Sequence, residues 1–175
     1  MSSSGVNTAS HVMTRVDIST GVPFGDFRSQ FEHAAPAFDA QPFQRIIETG
    51  GSWADVEAAV ERMAPHRLMR YATIDATAMM SLAGHTTKAV EYLLGNHVIA
   101  ESMFRHDPRA LLYAPLRVLM FSDAGGDAVF SLDQPSTAFG SLGIDEVTQV
   151  GLGLDDKVAA LLQFLGVDAS FRQPA

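Results

Sequence analysis

At 175 residues the chain has the length of one domain with its own core, and its lack of cysteine excludes disulfides, thiolate nucleophiles, zinc ribbons and cysteine-held iron-sulfur clusters. Twenty acidic against twelve basic residues give a net charge of -8, which repels phosphate backbones, so nucleic-acid binding is not expected. No stretch approaches the ~20 consecutive apolar residues of a membrane-spanning helix, and no signal-peptide pattern opens the chain. A soluble, cytoplasmic protein without membrane insertion is the expectation.

Residues 1-10 are serine-rich and small, and read as a disordered leader; residues 11-167 read as one α+β domain and residues 168-175 as a tail. From Val12 to Ile18 the residues alternate as in a half-buried strand. After Gly21-Val22-Pro23, Phe24, Phe27 and Phe31 recur at helical spacing and predict a helix whose phenylalanines enter the core. Phe43, Ile46 and Ile47 mark a second helix stopped by Gly50-Gly51. Ser52 and Asp55 form a variant capping box before a third, with apolar positions Trp53, Val56, Val60 and Met63. Trp53 is expected to pack at that helix start.

Met69 to Ile74 and Ala89 to Leu94 alternate as strands, and Ala76 to Gly84 between them shows neither period, which predicts a loop or irregular edge. Met79 and Met80 there suit core filling or a pliable apolar pocket. Leu116 to Phe121 and Ala128 to Leu132, joined by Ser122 to Asp127, form the clearest hairpin. Leu154, Val158, Leu161, Leu162 and Leu165 share one face of a closing helix that ends at Gly166 and starts as early as Asp145. Gly151 and Gly153 would each cost that helix about 1 kcal/mol relative to Ala. The acidic pairs Asp145-Glu146 and Asp155-Asp156 are expected on its solvated face. Together these elements predict an antiparallel sheet with helices packed on one face.

The segment from Gly95 to Arg117 concentrates side chains capable of chemistry. Asn96 can cap a helix from His97, and Asp107-Pro108 ends it after roughly three turns. Ile99, Met103 and His106 would share a stripe, and Glu101 and Arg105 an i,i+4 pair. The nine-residue spacing of His97 and His106 disfavours a two-histidine metal site from this helix alone, although either could combine with Met103, Tyr113 or His85 from across the fold. The plain alternatives are that His97 only starts the helix and His106 only complements its C-terminus. Arg117 on an apolar strand would need an anion or carbonyls if buried. No nucleophile elbow, EF-hand or metalloprotease pattern is present.

In order, Gly95-Asn96-His97, Met103-Phe104-Arg105-His106-Asp107-Pro108, Tyr113-Ala114-Pro115-Leu116-Arg117, the Ser122 to Asp127 turn and Asp133-Gln134-Pro135-Ser136 resemble the domain-of-unknown-function family 302, from about Met69 to Gly166. The helices before Met69 look like an extension of the actinobacterial type. The resemblance implies a β-α-β(4)-α core akin to the TATA-box-binding-protein-like architecture, and no established reaction. Typical members carry Cys-Asn-Pro where this chain has Gly95-Asn96-His97, so a thiol-dependent role does not transfer.

The leading functional expectation is a small-molecule-binding protein with a largely apolar pocket between sheet and terminal helix and polar anchors from residues 95 to 117. Its ligand-binding candidates are His97, Met103, His106, Tyr113 and Arg117, with His97 or His106 as a ligand to haem or a transition metal. One alternative is an enzyme without organic cofactor, in which a histidine moves a proton and Arg117 stabilises negative charge. Another is a homodimer joined by an exposed sheet edge or apolar helix. Convergence of His97, His106, Tyr113 and Arg117 in one cavity would favour the first two, and their dispersal on the surface the third.

Overall fold

The computed structural model describes residues 5-171, so Met1 to Ser4 of the expected leader lie outside it. Residues 5-10 carry no regular structure and are exposed. The elements run β1 (Arg15–Pro23), α1 (Phe24–Ala34), α2 (Gln41–Glu48), α3 (Trp53–Met63), β2 (Met69–Asp75), α4 (Thr77–Ser81), β3 (Ala89–Gly95), α5 (His97–Phe104), a 3-10 turn (Pro108–Leu112), β4 (Leu116–Ser122), β5 (Asp127–Asp133), α6 (Pro135–Gly140) and α7 (Asp145–Phe164). The five strands form one antiparallel sheet in the order β1-β5-β4-β3-β2. This is the α+β class that the alternation and helical spacing imply.

Strand alternation decides what faces the helices. Val90, Tyr92 and Leu94 of β3, Val118 and Met120 of β4 and Phe130 of β5 are buried beside Phe27 and Phe31 of α1 and Val158, Leu161 and Leu162 of α7. The other face stays open, with Glu91, Leu93, Arg117 and Leu119 among its residues. Phe171, in the stretch set aside as a tail, is buried in the main core.

Several elements depart from their sequence pattern. β1 begins at Arg15 and continues through Gly21-Val22-Pro23, where a register irregularity between Ser19 and Pro23 absorbs the turn-like residues. Ala76 to Gly84 holds a short helix, α4, whose Met79 and Met80 are exposed, so they fill no core. Asp155 is a correction too. It is buried, not solvated, because its carboxylate accepts the Ser136 N–H (3.0 Å) and the Gln134 Nε2 (2.8 Å) at the start of α6.

A second, smaller core supports the first half of the chain. Phe43 of α2, Ala59 and Val60 of α3, Ala64 and Met69 are buried together, with Val98 of α5 packed against them. Both halves of the Ser52-Asp55 capping box form, which holds the start of α3. Arg70 ties α1 to β2 by donating from Nε to the Ala35 carbonyl and from Nη2 to the Glu32 carbonyl. Tyr92 donates its hydroxyl to the Glu32 carboxylate at 2.8 Å, so this buried polar group of the sheet is satisfied.

Candidate functional site

At one end of the sheet lies a cavity of about 450 Å³. Its walls are the end of β3 (Leu94, Gly95), α5 (Ile99, Ala100, Met103, Phe104), the approach to β4 (Leu111, Ala114, Pro115, Leu116), Leu154 of α7 and Trp53 of α3. Tyr71, Asn96, His97 and Glu101 bring the polar side chains. The room follows from the chain path. β3 ends at Gly95, the chain turns into α5, and the 3-10 turn carries it back to β4, so α5 stands off the sheet end and leaves a gap.

Asn96 makes the turn. Its Oδ1 accepts the Ile99 N–H at 2.8 Å, capping α5, and its Nδ2 donates to the Arg67 carbonyl. Both ends of the amide thereby help to hold α5 against the loop before β2. His97 follows as the first helical residue, and its Nδ1 lies 2.5 Å from the Tyr71 hydroxyl. The imidazole stacks on Phe43 (centroids 4.8 Å apart, planes 8° from parallel) and lies 5.3 Å from the Phe38 ring. Burial lowers the pKa of His97 and raises that of Tyr71, since each charged form would lose its hydration. Both groups are therefore uncharged at neutral pH. Among the described residues Nε2 has no hydrogen-bond partner.

Glu101 and Arg105 do form their i,i+4 pair: Arg105 Nε donates to Glu101 Oε1 at 3.0 Å and Nη2 to Oε2. α5 is shorter than three turns, ending at Phe104, and the buried Asp107 caps the 3-10 segment that follows and pairs with Arg109.

The expected site residues separate. His97 and Met103 line the cavity together, and Met103 is fully buried. His106 falls past the end of α5 and is exposed. Tyr113 lines a different, smaller cavity of about 240 Å³, across Pro115 and Leu116 from the first. There its hydroxyl accepts from Ser141 Oγ (3.2 Å) and lies 3.3 Å from His11 Nε2. Arg117, whose side chain is 78% exposed, points to the open face of the sheet, where Glu91 lies 3.6 Å away. Among the described residues no three His, Asp or Glu side chains cluster as a metal site.

Two residues of the site carry no sequence signal as functional. Trp53, expected to pack at the start of its helix, is 42% exposed there and forms part of the cavity wall. Tyr71 reads in the sequence only as a strand residue. It sits on β2, the edge strand, at a register irregularity between Arg70 and Ala72 that leaves it out of the pairing, and its hydroxyl meets His97.

The model of the family described as Domain of unknown function DUF302 matches residues 47–165. The chain belongs to that family. The matched span starts ahead of Met69 and takes in α3, and with it Trp53. A solved structure, "Crystal structure of uncharacterized conserved protein DUF302 from Bacillus stearothermophilus", superposes with a TM-score of 0.59 over 86% of this chain and 95% of that one, at 12% identity. That likeness shows the shared DUF302 fold. A comparison with curated proteins returns no match. Among the described residues no helix is long and apolar enough to cross a membrane.

Proposed function

We propose that this DUF302 protein binds a small, mostly apolar molecule in the cavity under α5, with the Tyr71-His97 pair as its polar anchor. The observation that carries the reading is the cavity itself: about 450 Å³, walled almost wholly by carbon, with an uncharged imidazole among its few polar groups. That size and composition are those of ligand pockets in general. A coordinating ligand such as haem would find one imidazole there, His97, with the Met103 thioether on the same wall. Proton transfer by His97 would proceed without Arg117, which faces away.

The test is native mass spectrometry of gently purified protein beside an Ala100→Phe variant, whose added ring fills the space under α5. The reading expects a small-molecule adduct, or saturable quenching of Trp53 by added apolar probes, that the variant loses while it keeps its far-ultraviolet circular dichroism. Equal binding by both proteins would place the ligand elsewhere.

A second reading, self-association, is favoured by the open sheet face. Leu93, Leu119 and Phe121 share that face with the Arg117-Glu91 and Arg15-Asp133 pairs, so the patch combines apolar side chains with both signs of charge. A two-fold axis can bring such a surface against its own copy. Sedimentation velocity of wild type and Leu119→Lys tests it: a dimer that the lysine dissociates supports this face, and a monomeric wild type removes the reading.

A further inference from the structure

The side chains around the cavity say what kind of molecule fits. No Lys or Arg lines it. Its one carboxylate, Glu101, already receives two hydrogen bonds from Arg105. An anionic headgroup such as a fatty acid's would enter without a cation to meet it, in a chain of net charge -8. A cationic headgroup would have to compete with Arg105 for Glu101.

What remains is a matter of donors and acceptors. The Asn96 Oδ1 accepts from Ile99 and one Nδ2 proton goes to the Arg67 carbonyl, so the second N–H of the amide is left as a further donor. The Tyr71 hydroxyl has Nδ1 of His97 as its one partner among the described residues. If Tyr71 donates to Nδ1, only the His97 Nε2–H stays unmet; if Nδ1–H donates to Tyr71, both the phenol proton and Nε2 stay unmet. The first arrangement satisfies more groups and fixes the tautomer with its proton on Nε2. The indole N–H of Trp53, at the rim, is likewise without a partner among the described residues and is also a donor.

We infer that the cavity selects an uncharged molecule with an apolar body and one oxygen acceptor, such as a ketone, ester or quinone carbonyl, whose oxygen receives a hydrogen bond from His97 Nε2. This rests on the reading of the cavity as a ligand site. The volume holds about 15 water-sized groups, which sets the scale of the body. Acids and amines of the same chain length are rejected by the lack of a free counter-charge.

The experiment titrates the full chain at pH 7.5 with 2-decanone, decanoate, decylammonium and 1-decene, following the fluorescence of Trp53, the single tryptophan. The ketone is expected to bind at least about tenfold more tightly than the acid or the amine, since an unpaired buried charge costs well over 1.4 kcal/mol. Its advantage over 1-decene should fall about fivefold in His97→Phe, the net worth of one hydrogen bond. The phenyl ring keeps the stacking on Phe43, and circular dichroism verifies the fold. Tighter binding of decanoate or decylammonium, or a ketone advantage unchanged in His97→Phe, overturns the inference and leaves the cavity a ligand site. If none of the four binds, the ligand-site reading falls as well.

Discussion

The carboxylate of Asp155, in the middle of α7, accepts the backbone N–H of Ser136 at 3.0 Å and so caps the start of α6 from a different helix. Gln134 completes the link by donating to the same carboxylate at 2.8 Å. A helix of only six residues gains most of its order from such external partners. Asp155→Ala is therefore expected to lower stability by about 2 kcal/mol, because it leaves the Ser136 amide and the Gln134 side chain without their buried acceptor. Urea denaturation measures it. Asp155→Asn, which keeps one acceptor, should lose less.

Gly151 and Gly153 look alike in sequence and predict opposite signs. A Cβ on Gly151 would stand 3.0 Å from Ser136 Cα and 3.1 Å from Phe139 Cβ, so α6 and α7 would have to part. A Cβ on Gly153 would meet only the Lys157 ammonium at 3.8 Å. Gly153→Ala should then raise stability by about 0.5 to 1 kcal/mol through helix propensity, while Gly151→Ala lowers it despite the same gain. Thermal denaturation of the two variants decides it, and equal shifts would refute the close packing of α6 on α7.

His97 gives the stability a defined pH dependence. Its folded pKa lies below the ordinary value of 6.5, so below that value the unfolded chain takes up the proton first. Stability from this group is complete above about pH 6.5 and is lost as the pH falls through the lowered folded value. In thermal melts from pH 7.5 to 5, wild type should lose more than His97→Phe. The carboxylates Glu32 and Asp75 are held below their ordinary values of 4.5 and 3.8 and leave that window largely undisturbed.

Leu161 is fully buried on the sheet side of α7. Leu161→Ala should cost about 2 to 5 kcal/mol, the loss of a buried side chain plus the cavity it leaves. An undisturbed urea midpoint would contradict the packing of that helix face.

Where one period dominated, the sequence foretold the structure. The phenylalanines of α1, the alternation of β3 and β4 and the leucines of α7 all face the core as their spacing requires. The same alternation already directed Arg117 outward, since Leu116, Val118 and Met120 take the inward positions. The site was less legible. His97 and Met103 share the cavity because one short helix carries both, but Tyr71 comes to it from the edge strand β2 and Trp53 from α3, and Phe43 backs the His97 ring from α2. Asp155 defeated a rule that is sound for isolated helices. Its partners lie on α6, and no local pattern reveals a contact across the turn between two helices.

The strand order carries one more consequence, for the chain as it is made. β1 enters the sheet only against β5, so Asp17 must wait for Ser131, 114 residues later. At a synthesis rate of roughly 5 to 20 residues per second, that wait is on the order of ten seconds, during which the inward side chains Val16 and Ile18 and the whole β1 backbone have no strand to pair with. The nascent chain, more than the finished protein, is then the species that chaperones meet and that aggregates when they fail. A circular permutant that makes β1 last would shorten the interval and should yield more native protein at high expression temperature.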